Sequence, residues 1–409
     1  MKISGQQIFD ILEEAATFSL PGPGVTRVLG SPQHKALLPK LKQWMQQAGL
    51  ETRLDAAGNL IGRYPIEGLS KKTLILGSHQ DTVVQGGKYD GMLGIVVPLV
   101  ALAELNAQKA VLPCNVELIA FSDEEGVRFP STLTGSSPLA GKFDMRNLQL
   151  KDKDGVTLEQ ALLDIGGNPE QIPALARNPE DMAGYLEVHI EQGPVLENED
   201  LPVGIVSAIT GIERHSVIVH GEAGHAGTIP MNMRKDALVG AARIVSTVDQ
   251  TCKMTDSLVG VVGSLSVSPN AVNVVPALVN LTIELRSPDS KLRARSREQI
   301  FATIQEHAKE LNLGLEHQMT YAQDGVECSP KIQKGLARAF SSFGISPRYL
   351  FSGAGHDGLA MSYLTDVGML FVRCKKGVSH HPDEAITMDD AETAARIVKE
   401  FLLSCNADG

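Results

Sequence analysis

Residues 73–81 read TLILGSHQD, a short apolar run that passes Gly77 and Ser78 and ends on His79 and Asp81. A run of this length suits a buried strand, and it is followed by the loop TVVQGGKYDG (82–91) and a helical stretch that starts at Met92. Farther along, VELIAFSDEEG (116–126) repeats the pattern, an apolar run finishing in Asp123, Glu124 and Glu125. Short buried strands alternating with helices predict an α/β domain with a largely parallel sheet, whose ligands bind beyond the carboxyl ends of the strands. The histidine and the acids fall at such ends.

Working outward, residues 1–18 and 32–48 carry apolar positions at helical spacing, and 51–64 suggest a hairpin around the turn AAGN. From about Gly211 the pattern changes. SVIVHGEA (216–223) and LVGVVGSLSVSP (258–269) alternate like strands, with a helix expected over 234–249 between them. NLTIELRSPDS (280–290) then precedes a helix over 291–311. The first pattern resumes near Gly325, runs through VGMLFVRCKKGVSHHP (367–382), and closes with an amphipathic helix over 389–403. The expectation is a catalytic domain made of 1–210 and 326–409, interrupted by an α+β domain over 211–325.

Composition narrows the functional classes. A chain of 409 residues, 43% hydrophobic and 21% charged, has the make-up of a globular enzyme of two domains. A net charge of −11 without clustered Lys and Arg argues against nucleic acid as a partner. The longest apolar stretch, 92–103, is too short for a membrane span and contains Pro98, while Asp10, Glu13 and Glu14 interrupt any secretory signal at the start. Five scattered cysteines show no CxxC spacing, so neither a zinc ribbon nor a disulfide framework is indicated, and a reducing cytoplasm is the expected location.

His79, Asp81, Asp90, Glu124, Glu125, His189 and His380 together supply the imidazoles and carboxylates that bind zinc, manganese or similar ions. Asp81, two residues past His79, is placed to accept the second imidazole N–H and fix its tautomer. Asp90, in a glycine-rich loop, can offer one oxygen to each of two ions. Glu124 and Glu125 are expected at the end of a strand, where successive side chains point to opposite sides, so that one binds metal and the other faces water. Singly, each of these residues is equally at home in an ordinary loop or turn; it is their combination that points to metal-assisted hydrolysis.

GSHQDTV, KYDG, DEEGVRF, LEVHIEQGPVLE, GEAGHAGTIPM, AVNVVP and SHHP, in this order and over essentially the whole chain, resemble the M20-type amidohydrolases of carbamoyl and ureido compounds. The resemblance implies a metallopeptidase-like α/β catalytic domain with an inserted lid or dimerisation domain. It also implies two divalent ions per subunit, zinc or manganese with cobalt or nickel as alternatives. His79 would serve one ion, Asp90 would bridge, Glu125 and His189 would be ligands, His380 would serve the second ion, and Glu124 would be the base. In the last motif His381 stands where related sequences commonly have asparagine, and His380 is the imidazole assigned.

Substrate residues follow from the same resemblance. Gln192 in HIEQG is expected at a ureido or carbamoyl group, His225 as a donor to the developing oxyanion, and Asn273 and Arg286 at the substrate carboxylate. His356 in SGAGHDG is expected on a substrate-facing loop. A homodimer is implied, with His225 able to reach the neighbouring subunit's site. VGIVSAITGIERH and DEEGVRFPSTLTGS look nearest to allantoate amidohydrolases. N-carbamoyl-L-amino acid hydrolase or β-ureidopropionase is the close alternative, and an aminopeptidase or N-acyl amino acid hydrolase a weaker one. A binding protein that had lost its chemistry on this scaffold would be expected to lack a ligand or the base, and none is missing.

Overall fold

A computed structural model describes residues 2–405. The chain divides into two compact units, 1–207 with 327–409, and 208–326. The elements of the first are α1 (Gly5–Ala16), α2 (Pro32–Gln47), β1 (Glu51–Leu54), β2 (Leu60–Arg63), β3 (Ser70–His79), α3 (Met92–Ala107), β4 (Cys114–Phe121), α4 (Leu158–Asp164), β5 (Met182–Ile190), α5 (Val195–Asn198) and β6 (Val203–Ile209). Then come β7 (Gly211–His220), β8 (Gly224–His225), α6 (Ala237–Lys253), β9 (Val259–Ser268), β10 (Val274–Val275), β11 (Leu278–Ser287), α7 (Ser290–Glu310) and β12 (Gly314–Gln323). The chain finishes with β13 (Val326–Glu327), α8 (Pro330–Ser342), β14 (Tyr349–Ser352), α9 (Gly358–Met361), β15 (Val367–Val372) and α10 (Met388–Ser404).

The large sheet has the order β1-β2-β4-β3-β5-β15-β6-β13, with β14 beside β6. Its centre, β4-β3-β5-β15, is parallel, while β2 joins β4 and β6 joins β15 antiparallel. The α/β expectation with a mostly parallel core therefore holds. The register sets His79 opposite Phe121 and Phe371 opposite His189. Four carboxyl ends thus finish side by side, neighbouring strands being about 4.8 Å apart. Loops leaving them converge on one edge.

The apolar stretch from Met92 is a helix buried nearly all round, α3, packed with Leu74, Leu76, Val188, Ile190 and the inner face of α10 in one core. Its uniform hydrophobicity reflects burial inside a protein, and among the described residues no helix is long and apolar enough to cross a membrane. In the second unit β12-β7-β11-β9 form an antiparallel sheet whose core is shared with α6 and α7. The helix expected from residue 234 begins at Ala237 instead. Asp236 stays extended and its carboxylate accepts the N–H groups of Leu238 and Val239, an N-cap that sets the start.

Candidate metal centre

The Asp90 carboxylate is the centre of the cluster. Its Oδ1 lies 3.3 Å from His79 Nε2 and 3.1 Å from His189 Nε2, and its Oδ2 lies 3.3 Å from His380 Nε2. Glu125 Oε1 is 3.5 Å from the same His380 nitrogen. Each Asp90 oxygen thus faces a separate group of donors, His79 with His189 on one side and His380 with Glu125 on the other. Three donor sets close to within 4.8 Å: His79, Asp90, His189; Asp90, Glu125, His380; and His79, Glu124, Glu125.

Local structure explains the aim of each ring. His79 ends β3 and His189 nearly ends β5, adjacent parallel strands. His79 Nδ1 sits 3.0 Å from the Asp81 carbonyl and His189 Nδ1 2.9 Å from the Ile190 carbonyl. A proton on each Nδ1 satisfies those carbonyls and leaves both Nε2 lone pairs turned to Asp90, the tautomer a metal requires. Gly91 holds φ +69°, and a Cβ there would lie 2.5 Å from the His79 ring, so only glycine lets the Asp90 loop come this close. His380, also at positive φ, has a half-exposed side chain, whereas His79 and His189 are buried. His381 points elsewhere, its Nδ1 3.6 Å from Asp383.

Two expectations are corrected in detail. β4 stops at Phe121, so Glu124 and Glu125 stand in the following loop and strand alternation does not orient them. They are held by their main chain: the Asp81 carboxylate accepts the N–H of Glu124 at 2.9 Å and of Glu125 at 3.2 Å. That carboxylate is also 3.4 Å from His79 Nδ1, farther than its own residue's carbonyl, so its main grip is on the two acids. His356 stands in the loop before α9. It is buried, its Nε2 is 2.6 Å from Ser352 Oγ, and its ring meets His189 edge-on at 4.4 Å between centroids. Burial and the neighbouring His189 hold its pKa well below the ordinary value.

Electrostatics suit a cation. Burial opposes charge on Asp90, yet His189, His380 and His79 hold its carboxyl well below the usual range. Burial pushes Glu124 well above it, opposed by His79 and reinforced by Glu125, Asp357 and Asp81. Glu125 is raised to about 7, first by burial, with Asp90 and Asp81 adding to it. Burial and mutual repulsion thus disfavour ionisation of Glu124 and Glu125, and divalent ions relieve that repulsion. Donor chemistry and arrangement therefore fit metal.

Gln192 is expected from the motif, whereas sequence reasoning passed over Ser379, Glu384 and Arg27. Gln192 Nε2 donates to Asp90 Oδ2 at 2.9 Å and to Ser379 Oγ at 3.1 Å, while its Oε1 is buried without a hydrogen-bond partner. Glu384 accepts the N–H groups of Tyr89 and Asp90, and its other oxygen is 3.0 Å from Ser379 Oγ, which also lies 2.9 Å from Asp90 Oδ2. This acid joins the Asp90 loop to the His380 loop. Arg27, buried, donates its side chain to the Gln80 carbonyl and its main-chain N–H to Thr82 Oγ1, while its carbonyl accepts the Thr82 N–H, anchoring the chain on either side of Asp81. An acid near SHHP and an arginine far upstream carry no local signal of these roles.

In the second unit β8 pairs with β10, setting His225 opposite Val274, and the Asn273 carbonyl accepts the Ala226 N–H. His225 and Asn273 are thereby neighbours. Arg286 lies on β11 opposite Ile212 and is ion-paired with Glu284 at 2.7 Å, Glu284 also binding Arg214. Leu278, at the β10 end of the same strand, pairs with His220. Eight residues at roughly 3.3 Å each separate Leu278 from Arg286, about 26 Å along the strand.

A parallel sheet bearing imidazoles and carboxylates on its carboxyl edge defines a hydrolase built on a metallopeptidase scaffold. The chain belongs to peptidase family M20/M25/M40, whose model matches residues 75–404. It is 37% identical to an allantoate deiminase of Arabidopsis thaliana, covering 96% of this chain and 81% of the relative. An N-carbamoyl-L-amino acid amidohydrolase of Geobacillus stearothermophilus is 34% identical, with 97% of each chain covered. The crystal structure of a hydantoinase/carbamoylase family amidase from Burkholderia multivorans superposes with a TM-score of 0.94 at 29% identity, covering 100% of this chain and 99% of that one. The M20-type amidohydrolase expected from the motifs is borne out.

Proposed function

We propose that the protein is an amidohydrolase of a small ureido acid, with allantoate as its substrate. The observation that carries the ureido class is Gln192: its amide nitrogen is committed to Asp90 and Ser379, and its oxygen is buried without a hydrogen-bond partner among the described residues. A ureido N–H supplies a donor, and an unpaired buried carbonyl gains from it. The order in favour of allantoate rests on DEEGVRFPSTLTGS and VGIVSAITGIERH, with the likeness to the Arabidopsis allantoate deiminase in support. N-carbamoyl-L-amino acids are the second reading, supported by the Geobacillus relative.

His79, Asp90 and His189 would hold one divalent ion, and Asp90, Glu125 and His380 a second. When bound, such ions polarise a carbonyl and bring the pKa of water toward roughly 7. Glu124, half-buried and with its main chain fixed by Asp81, takes the proton of the attacking water on its carboxylate and returns it to the departing nitrogen. The C–N bond breaks as the carbonyl carbon gains the water oxygen, and the products finally include ammonia and carbon dioxide.

His225, Asn273 and Arg286 are the proposed substrate contacts of the second unit, His225 toward the oxyanion and the other two toward the carboxylate. The reading includes a homodimer in which His225 and Asn273 serve the partner's substrate. Mixing inactive His225→Ala and inactive Glu124→Gln proteins should then restore activity through hybrid dimers, and failure to do so in a verified hybrid rejects the exchange.

The substrate is decided by kcat/KM on allantoate against N-carbamoyl amino acids, a dipeptide and an N-acetyl amino acid. A value several times higher for allantoate is expected. A large preference for a carbamoyl amino acid overturns the first reading and keeps the ureido class, while preference for the dipeptide overturns both.

A further inference from the structure

Away from the metal centre, a cavity of about 320 Å³ opens between α8, the start of β4 and the end of α10. Leu74, Ala183, Ile332 and Phe401 contribute apolar walls, and Gly335 leaves room for Phe401, whose ring would lie 2.7 Å from an added Cβ. Lys331, Lys334 and Arg338, spaced three and four apart on one face of α8, line it with positive charge. Cys114, which opens β4, and Cys405, which follows α10, both line the same space. Far apart in sequence, the two thiols are close enough to influence each other electrostatically, and Cys405 Sγ also donates to the Leu402 carbonyl at 3.6 Å.

We propose that Cys114 and Cys405 form a reversible oxidation site, converted to an intramolecular disulfide by exchange with an anionic low-molecular-weight disulfide that enters this cation-lined cavity. The order of attack follows from the surroundings. The contact from Cys405, the Leu74 backbone and the Lys331 charge favour the thiolate at Cys114, while the same contact and burial keep the proton on Cys405. Thiolate is the attacking species in such exchange. Cys114 sulfur attacks one sulfur of RSSR, the S–S bond breaks, and RS⁻ leaves. Cys405 then loses its proton and attacks the Cys114 sulfur of the mixed disulfide, displacing the second RS⁻. Two protein thiols are oxidised, one small disulfide is reduced, and the two protons end on two RSH molecules.

The consequence is a covalent tie between the end of α10 and β4, two elements of the catalytic core. Closing so long a loop stabilises the folded chain, so the oxidised protein should unfold at a higher temperature than the reduced protein.

The test is to expose the purified full-length protein to oxidised glutathione, titrate free thiols after denaturation and map the cross-linked peptides. Free thiols should fall from five to three, with Cys114 and Cys405 in one linked pair that dithiothreitol reverses. Either Cys114→Ala or Cys405→Ser should abolish that pair, and Cys405→Ser, at the helix end, serves if the buried substitution fails to fold. Five free thiols, a link between other cysteines, or a lasting glutathione adduct without the link overturns the proposal. Cystamine, a cationic disulfide, should form the link about tenfold more slowly; equal rates overturn the selection of an anion.

Discussion

Asp81 grips Glu124 by its backbone: the carboxylate accepts the Glu124 N–H at 2.9 Å and reaches the next N–H, that of Glu125, at 3.2 Å. Two neighbouring acids, proposed as base and ligand, are thus positioned by one carboxylate that grips only their main chain. An amide cannot accept both bonds, because its NH2 would face a donor. Asp81→Asn should lower kcat by roughly 10–100-fold with a small change in KM. Unaltered kcat would show that the loop holds its shape without this grip.

Glu124→Gln removes the proposed proton acceptor and keeps the shape. We expect kcat to fall by roughly 10²–10⁴-fold while metal content, measured by mass spectrometry, stays that of the parent. Activity near the parent value would assign the base elsewhere.

The two donor groups differ in exposure, since His79 and His189 are buried and the His380 side chain is 50% exposed. Chelation should therefore remove metal in two steps, the His380 side first, and abolish turnover. Readdition of zinc, manganese or cobalt singly should restore activity to different extents. Loss of all metal in a single phase would contradict the assignment of two unlike sites.

Arg286→Ala should raise KM about 10–100-fold, the worth of a charge-assisted hydrogen bond, with kcat changed much less. Because Glu284 holds Arg286 at 2.7 Å, the same substitution also frees that carboxylate to pair with Arg214 alone. An unchanged KM removes Arg286 from the substrate contacts.

In the second unit burial works against a charged Glu213, but Arg293 and Arg297 outweigh it and its pKa is lowered from 4.5. A depressed carboxylate contributes stability that is complete above the unfolded value and is lost as pH falls through the folded one. Thermal unfolding between pH 3 and about 5 should therefore fall more steeply with acid in the parent than in Glu213→Gln. Equal slopes would show that the arginines do not stabilise this charge.

What the sequence determined by itself is local. Apolar runs of strand length ending in Gly-Ser-His, Asp-Glu-Glu and Ser-His-His placed the ligand types at strand ends, because burial periodicity and turn residues act over a few positions. Tertiary structure decided the rest. Parallel pairing of β4, β3, β5 and β15 brought those ends together, and only then did Asp90 present one oxygen to His79 and His189 and the other to His380. Asp81 on the Glu124 backbone, Glu384 joining two loops, His356 buried beside His189, Arg286 paired with Glu284 opposite Ile212, and Cys114 meeting Cys405 all depend on register and packing between segments. Local patterns specify the conformation of a segment; which side chains face one another follows from how the segments stack.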